Sequence, residues 1–230
     1  MFTTLIGVIL SLISLLGMSS ATQPEKPAAP VQPAPADAKT TDADKLVYVR
    51  LKTSAGDIVV ELNREKAPIS VANFLAYADK KAYDGTIFHR VIENFVIQGG
   101  GYTKELVELK GDKPIKNEWQ NGLKNEKGTI GMARDAEPDT ATREWYINTA
   151  DNAKLDTPRE MTGKAGYAVF GKVVVGMSVV DTIRKGKTKD IPEPKLENVP
   201  VDPVVIETVT RLSLDEAKKL IAEEAKKAKP

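Results

Sequence analysis

The stretch "TIFHRVIENFVIQGGGYT", Thr86 to Thr103, decides how this chain is read. It contains the single histidine, His89, and sets Arg90 and Gln98 among Ile87, Phe88, Val91, Ile92, Phe95, Val96 and Ile97. Side chains alternate along a strand, so Ile87, His89 and Val91 fall on one face and Phe88, Arg90 and Ile92 on the other. Val96 and Gln98 share a face of the next segment, and Arg90 and Gln98 could therefore meet on one wall. A guanidinium against apolar neighbours is costly unless acceptors satisfy it. Gln98 offers an amide oxygen, and a bound carbonyl or amide would offer more. On spacing alone, an arginine that packs its stem on the strand and keeps its head in water is an equal alternative.

Outward from this stretch the pattern is one of short strands. Val47, Val49 and Leu51 alternate with Tyr48, Arg50 and Lys52, and after the turn "SAGD" the alternation resumes through Ile58, Val60 and Leu62. The pair predicts an antiparallel hairpin. In "APISVANFLAYADKKAY" the period changes. Val71, Phe74, Leu75, Ala78 and Ala82 lie on one helical face, Pro68 suits the first turn, and the helix is expected to plug an apolar opening. Further strands are expected over 86–92, 95–99, 129–133, 145–149 and 168–175, a short helix in "GMSVVDTIRKG", and a closing strand in "VVIETVTRL". Many short strands with two helices predict a mostly-β fold, a closed antiparallel barrel capped at its ends. In the tail, "SLDEAKKLIAEEAKKAKP", Ser213 and Glu216 form a capping-box pattern ahead of an apolar stripe of Leu214, Ala217, Leu220, Ile221 and Ala225. This predicts a charged amphipathic C-terminal helix over 213–230. It would dock on the barrel by default, pair with a partner, or stand in solvent.

Composition narrows the chemistry. The 230 residues include 33 Lys plus Arg against 32 Asp plus Glu, so the formal charge of +1 gives no footprint for nucleic acid. The absence of cysteine removes disulfides, thiol nucleophiles and zinc–thiolate sites, and one histidine removes a histidine-rich metal site. No EF-hand-like loop is present, and neither a metal nor a cofactor is expected. Gly99–Gly101 does not open a helix, and "GKT" at Gly186–Thr188 lacks the upstream glycine of a phosphate-binding loop. With no G-x-S-x-G elbow, His89 reads as a core histidine bonded to backbone rather than as a base.

The N-terminal Leu5–Met18 is uncharged and mostly apolar, shorter than the roughly 20 residues of a membrane span, and Ser19 and Ala21 are spaced for cleavage. Residues 1–21 read as a signal peptide, or as a short uncleaved anchor since no Lys or Arg precedes the run. Residues 22–45, rich in Pro and Ala, read as a disordered linker. The folded domain is expected over 46–212. An exported protein of the periplasm or cell envelope follows, membrane-bound only if the leader is retained.

"FHRVIENFVIQGGGYT", "PISVANFLAY", "GTIGMARD", "YINTADNAKLD" and "GYAVFGKVVVGMSVVDTI" together resemble the cyclophilins, the peptidyl-prolyl isomerases, over roughly residues 46–212. The bacterial members with short loops are the most similar, and the leader fits their exported branch. The resemblance implies an eight-stranded antiparallel barrel with a helix at each end. It implies a monomer acting without a cofactor on proline-containing peptides and on unfolded or folding proteins. It implies Arg90 as the catalytic arginine, Phe95 as the floor of a proline pocket and Gln98 as the group that orients the arginine. It implies substrate contacts from Val96, Met132, Ala133, the adjacent Arg134, Tyr146, Leu155 and Tyr167.

The chain departs from the family where relatives read S-Q-F-F and it reads "REWY", Arg143 to Tyr146. Glu144 then brings a carboxylate to the substrate groove, where it could pair with Arg90 and compete with substrate. Tyr146 adds a hydroxyl that wants a partner, and Lys154 replaces an aromatic at the rim. Two readings remain here: an isomerase, carried by the Arg90–Phe95–Gln98 set, and a cyclophilin-fold binder or chaperone with weak or no isomerase activity, favoured by "REWY". A structural role for the tether and tail in envelope assembly is compatible with either.

Overall fold

Strands β1 (Leu46–Thr53) and β2 (Gly56–Asn63) form the expected hairpin, with Val49 opposite Val60 and Leu51 opposite Ile58. Those four side chains are fully buried, which is why the alternation of the sequence survives as a sheet register. The computed structural model describes residues 45–227. The leader expected over 1–21, and the linker over 22–45 apart from Lys45, lie outside the described residues.

After α1 (Pro68–Asp79) come β3 (Thr86–Val91), β4 (Val96–Thr103), β5 (Thr129–Met132), β6 (Trp145–Asn148) and β7 (Val169–Val175). Then follow α2 (Met177–Arg184), a small hairpin of β8 (Thr188–Ile191) and β9 (Leu196–Pro200), β10 (Ile206–Leu212) and α3 (Leu214–Lys227). Eight strands form one antiparallel sheet in the order β10-β1-β2-β7-β5-β6-β4-β3. The sheet curls until its ends meet. Ile87 bridges Val205, Phe88 N–H donates to Val204 O at 3.1 Å, and Gly85 N–H donates to Ile206 O at 2.8 Å. The barrel is thus nearly closed, its last seam held by a few bonds rather than a full ladder.

α1 buries Val71, Phe74, Leu75, Tyr77 and Ala78 in the barrel core. Phe74 meets Tyr83, Trp145 and Phe170 with ring centroids 5.1, 5.9 and 5.6 Å apart. α2 adds Val180 and Ile183 to the same core. α3 begins with the expected capping box: Ser213 N–H donates to Glu216 Oε2 at 2.9 Å and Glu216 N–H to Ser213 Oγ at 3.3 Å. The tail docks rather than standing free. Ala217 is fully buried, α3 lies against β1 and β7, and Glu224 Oε1 accepts the Gly176 N–H at 3.0 Å. The β8–β9 hairpin was not expected, because its polar and charged residues carry no apolar alternation even though Val199 and Pro200 are buried.

The β3–β4 ladder slips twice, between Thr86 and Phe88 and between Phe88 and Arg90, and the second slip shapes the site. β3 pairs with β4 through Phe88 opposite Gly99, Arg90 opposite Gln98 and Val91 opposite Ile97. Two residues of β3 therefore span one step of β4, and His89 occupies a bulge. Beyond it the facing inverts. Phe88 and Val91 both enter the core, Phe88 edge-on to Trp145 at 5.6 Å, whereas Arg90 is turned outward. Simple alternation had set Phe88 and Arg90 on one face.

Candidate active site

The outer wall of the barrel across β4, β5 and β6 is built by the ordinary period of two. Ile97, Ile130, Met132, Trp145 and Ile147 point into the core. Val96, Gln98, Ala133 and Tyr146 point the other way. There Val96, Tyr146 and Leu155 make a second, smaller buried cluster, with Phe95, Ala133 and Tyr167 packed against it. The chain after β6 returns over this wall through two short 3₁₀ turns, Ala153–Leu155 and Glu160–Thr162. Between wall and loop lies a cavity of about 270 Å³. Arg90, Phe95, Val96 and Gln98 line it from the β3–β4 side, Ala133, Arg134 and Tyr146 from the middle, and Leu155, Arg159 and Tyr167 from the loop.

Arg90 Nη1 donates to Gln98 Oε1 at 3.4 Å, and its guanidinium carbon stands 5.9 Å from the centre of the Phe95 ring. Gln98 Nε2 in turn donates to Glu144 Oε2 at 2.7 Å. His89 Nε2 lies 3.2 Å from the same carboxylate oxygen. Burial pushes the Glu144 carboxyl up, but the hydrogen bond and charge of His89, the Gln98 amide and the Arg143 guanidinium outweigh it and hold it below its usual range. Gly101 makes room for this carboxylate, since a Cβ there would collide with it.

Glu144 and His89 both differ from what the sequence predicts. Glu144 faces Gln98 and His89 instead of pairing with Arg90, and it does not line the cavity. His89 is buried as expected, but its partner is a carboxylate and not backbone, and its Nδ1 has no hydrogen-bond partner.

The Tyr146 hydroxyl finds its partner in Asn125 Oδ1 at 2.7 Å, and burial pushes this phenol well above its ordinary range. Asn125 also accepts from Asn148 Nδ2 at 3.1 Å and donates to Asp156 Oδ1 at 2.8 Å, tying wall to loop. The sequence carries no signal for this role, because Asn125 sits in the polar run "LKNEKG". Arg134 spends its donors on the loop. Nη2 reaches Thr162 O, Ala165 O and Gly166 O at 2.9–3.1 Å, Nη1 reaches Asp135 O and Ala136 O at 2.9 and 3.0 Å, and the guanidinium lies 4.3 Å from the centre of the Tyr167 ring.

Of the residues the sequence singled out, Arg90, Phe95, Gln98, Val96, Ala133, Arg134, Tyr146, Leu155 and Tyr167 come together around the cavity. Met132 does not. It is 2% exposed within the barrel core, because β5 turns Ile130 and Met132 inward and only Gly131 and Ala133 outward. Lys154 is exposed beside Leu155 and does not line the cavity. Arg159 does line it and was not anticipated. Among the described residues no group of His, Asp or Glu is arranged to hold a metal ion.

A nearly closed barrel with an apolar, arginine-edged cavity on its outer wall defines a class of protein, and comparison with known sequences and structures identifies it. The sequence model of the family described as cyclophilin type peptidyl-prolyl cis-trans isomerase/CLD matches residues 48–211. Peptidyl-prolyl cis-trans isomerase A of Dickeya dadantii is 47% identical over 174 residues, covering 76% of this chain and 87% of that one. Peptidyl-prolyl cis-trans isomerase B of Escherichia coli is 44% identical over 168 residues, covering 70% of this chain and 98% of that one. A Cryptosporidium parvum cyclophilin-type isomerase crystallised in the presence of the dipeptide Ala-Pro superposes with a TM-score of 0.58 at 25% identity, covering 72% of this chain and 99% of that one. The chain belongs to the cyclophilin-type peptidyl-prolyl cis-trans isomerase family, and isomerase is its enzyme class.

Proposed function

We propose that the cavity holds a proline ring of a peptide or folding protein while Arg90 lowers the barrier to rotation of the preceding bond. That barrier, about 18–20 kcal/mol, comes from C–N double-bond character, and the two X-Pro isomers differ little in energy. A catalyst therefore needs only to favour the twisted state, in which conjugation is lost and the prolyl nitrogen becomes pyramidal and basic. A guanidinium N–H directed at that nitrogen stabilises the twisted state more than either planar isomer. Phe95, Val96, Tyr146 and Leu155 grip the ring while the rest of the chain turns. Gln98 fixes the arginine, and no proton transfer or cofactor is involved.

The observation that carries this reading is the contact of Arg90 with Gln98 beside the apolar floor of Phe95, Val96, Tyr146 and Leu155. The commitment of Glu144 to Gln98 and His89 supports catalysis over binding alone, because the carboxylate expected to quench Arg90 is engaged elsewhere. The leader-like run at Leu5–Met18 supports a place of action in the cell envelope.

NMR exchange on an Ala-Pro peptide, without a coupled protease, tests the proposal. Wild type should speed exchange, and Arg90→Ala should lose at least about 100-fold in kcat/KM with its amide spectrum otherwise retained. Undiminished turnover in Arg90→Ala would refute the arginine mechanism. Peptide binding without turnover in wild type would favour a binding module.

A further inference from the structure

The rim of the cavity carries a charge pattern that proline recognition does not require. Three guanidiniums line it, those of Arg90, Arg134 and Arg159, and no carboxylate does. None of the three forms an ion pair with an acidic side chain of the described residues. Arg90 meets an amide oxygen and the Phe95 ring, and Arg134 meets backbone carbonyls and the Tyr167 ring.

Arg159 is the least engaged. Its Nε is buried without a hydrogen-bond partner, and its Nη1 reaches only the Met161 sulfur at 3.8 Å. Its backbone is pinned, since Arg159 O accepts from Thr162 N–H at 3.0 Å and Lys164 N–H at 2.9 Å, so the side chain projects from a fixed point. Of the acids on this side, Asp156 accepts from Asn125 at 2.8 Å and Glu144 is held by Gln98 and His89, while Glu160, next in sequence, is exposed and reaches Lys164 at 3.4 Å. An unsatisfied guanidinium N–H withdrawn from water is costly, and an incoming carboxylate relieves it with a charge-assisted bond.

We infer that the site prefers prolines flanked by an aspartate or glutamate, and that Arg159 sets this preference. The inference rests on the reading of the cavity as the proline site. On the loop side, away from Glu144 and Glu197, which line the adjoining depression beyond Arg90 and Gln98, the guanidiniums draw acidic segments in and repel lysine- or arginine-flanked prolines, a selection exercised through electrostatics and therefore sensitive to salt.

The test uses acetylated, amidated peptides in which Glu, Ala or Lys stands immediately before or immediately after a single proline, so that no terminal charge contributes. The readout is the ratio of kcat/KM for the Glu peptide to that for the Lys peptide, by NMR exchange. In wild type at low salt the ratio should reach roughly tenfold in at least one placement and shrink in about 0.5 M salt. Arg159→Gln should bring it near twofold, and Arg159→Glu should invert it. Because a ratio is read, a general loss of activity in either variant does not mimic the effect. A wild-type ratio of one in both placements, or an unaltered ratio in Arg159→Glu, overturns the inference. If no peptide is turned over, the isomerase reading fails by itself, and the ratio of Kd values from chemical-shift titration of the same peptides still decides whether the rim selects acidic sequences.

Discussion

Glu144 Oε2 accepts the side-chain amide of Gln98 at 2.7 Å and thereby turns the Gln98 oxygen toward Arg90. A carboxylate only accepts, so it permits a single orientation of the neighbouring amide. Gln98 is then compelled to present an acceptor to the guanidinium, and Glu144 acts as a positioning device.

Glu144→Ala should therefore lower kcat about tenfold while leaving KM within about twofold, since it frees an orientation and not a pocket wall. Glu144→Gln should recover most of the loss, because its own amide oxygen can accept from Gln98. Steady-state line-shape or exchange NMR on one peptide series separates the two parameters. Equal kcat in wild type and Glu144→Ala would break the proposed link between Glu144 and Arg90.

Stability should fall in acid through the same residue. The Glu144 carboxyl is held below its ordinary value of 4.5, so its folded form binds a proton less readily than the unfolded chain does. The resulting stabilisation is fully present above that ordinary value and is lost as pH falls through the depressed folded value. Wild type should lose more Tm than Glu144→Gln between about pH 5 and pH 3. Differential scanning across that range checks the sign; a steeper acid loss in the variant would contradict it.

Gly131 is fixed by the pocket and not by backbone conformation. A Cβ there would stand 2.5 Å from the Cζ and Oη of Tyr146. Gly131→Ala should push the ring outward and loosen its bond to Asn125, at a cost of about 1–3 kcal/mol in stability. The same shift narrows the cavity, so KM should rise. Denaturant unfolding together with peptide titration would detect both effects, and wild-type behaviour in both would show that the ring has room to move.

The tail belongs to the barrel. Deleting residues 213–230 exposes the surface under Ala217, which is fully buried, and frees the Gly176 N–H that Glu224 accepts. A loss of about 2 kcal/mol is expected from the removed packing and hydrogen bond, with the amide spectrum changing mainly at β1, β7 and the start of α2. An unaltered Tm would show that the docked helix adds nothing to the fold. A change in oligomeric size on gel filtration would point instead to a role in assembly.

The sequence alone determined the barrel and the helix that fills it, and the family resemblance marked most of the cavity wall. Alternation in β1, β2, β4 and β6 and the helical period of α1 are local, and each is set by which face meets the core. Local patterns allowed Arg90 to meet Gln98 but left a solvent-facing arginine equally open, and the β3–β4 register decided between them. What only the tertiary structure decided lies where a local period is broken or where partners come from distant segments. The bulge at His89 inverts the facing of β3 and separates Phe88 from Arg90, and nothing in "TIFHRVI" announces it. Met132 reads as a wall residue by resemblance, yet the parity of β5 puts it in the core. Glu144, Asn125 and Arg159 owe their roles to groups far away in sequence or, for Arg159, to the lack of an ion pair with any acid of the described residues. Burial creates those demands for partners, and closure of the barrel and its loop decides which groups are near enough to meet them.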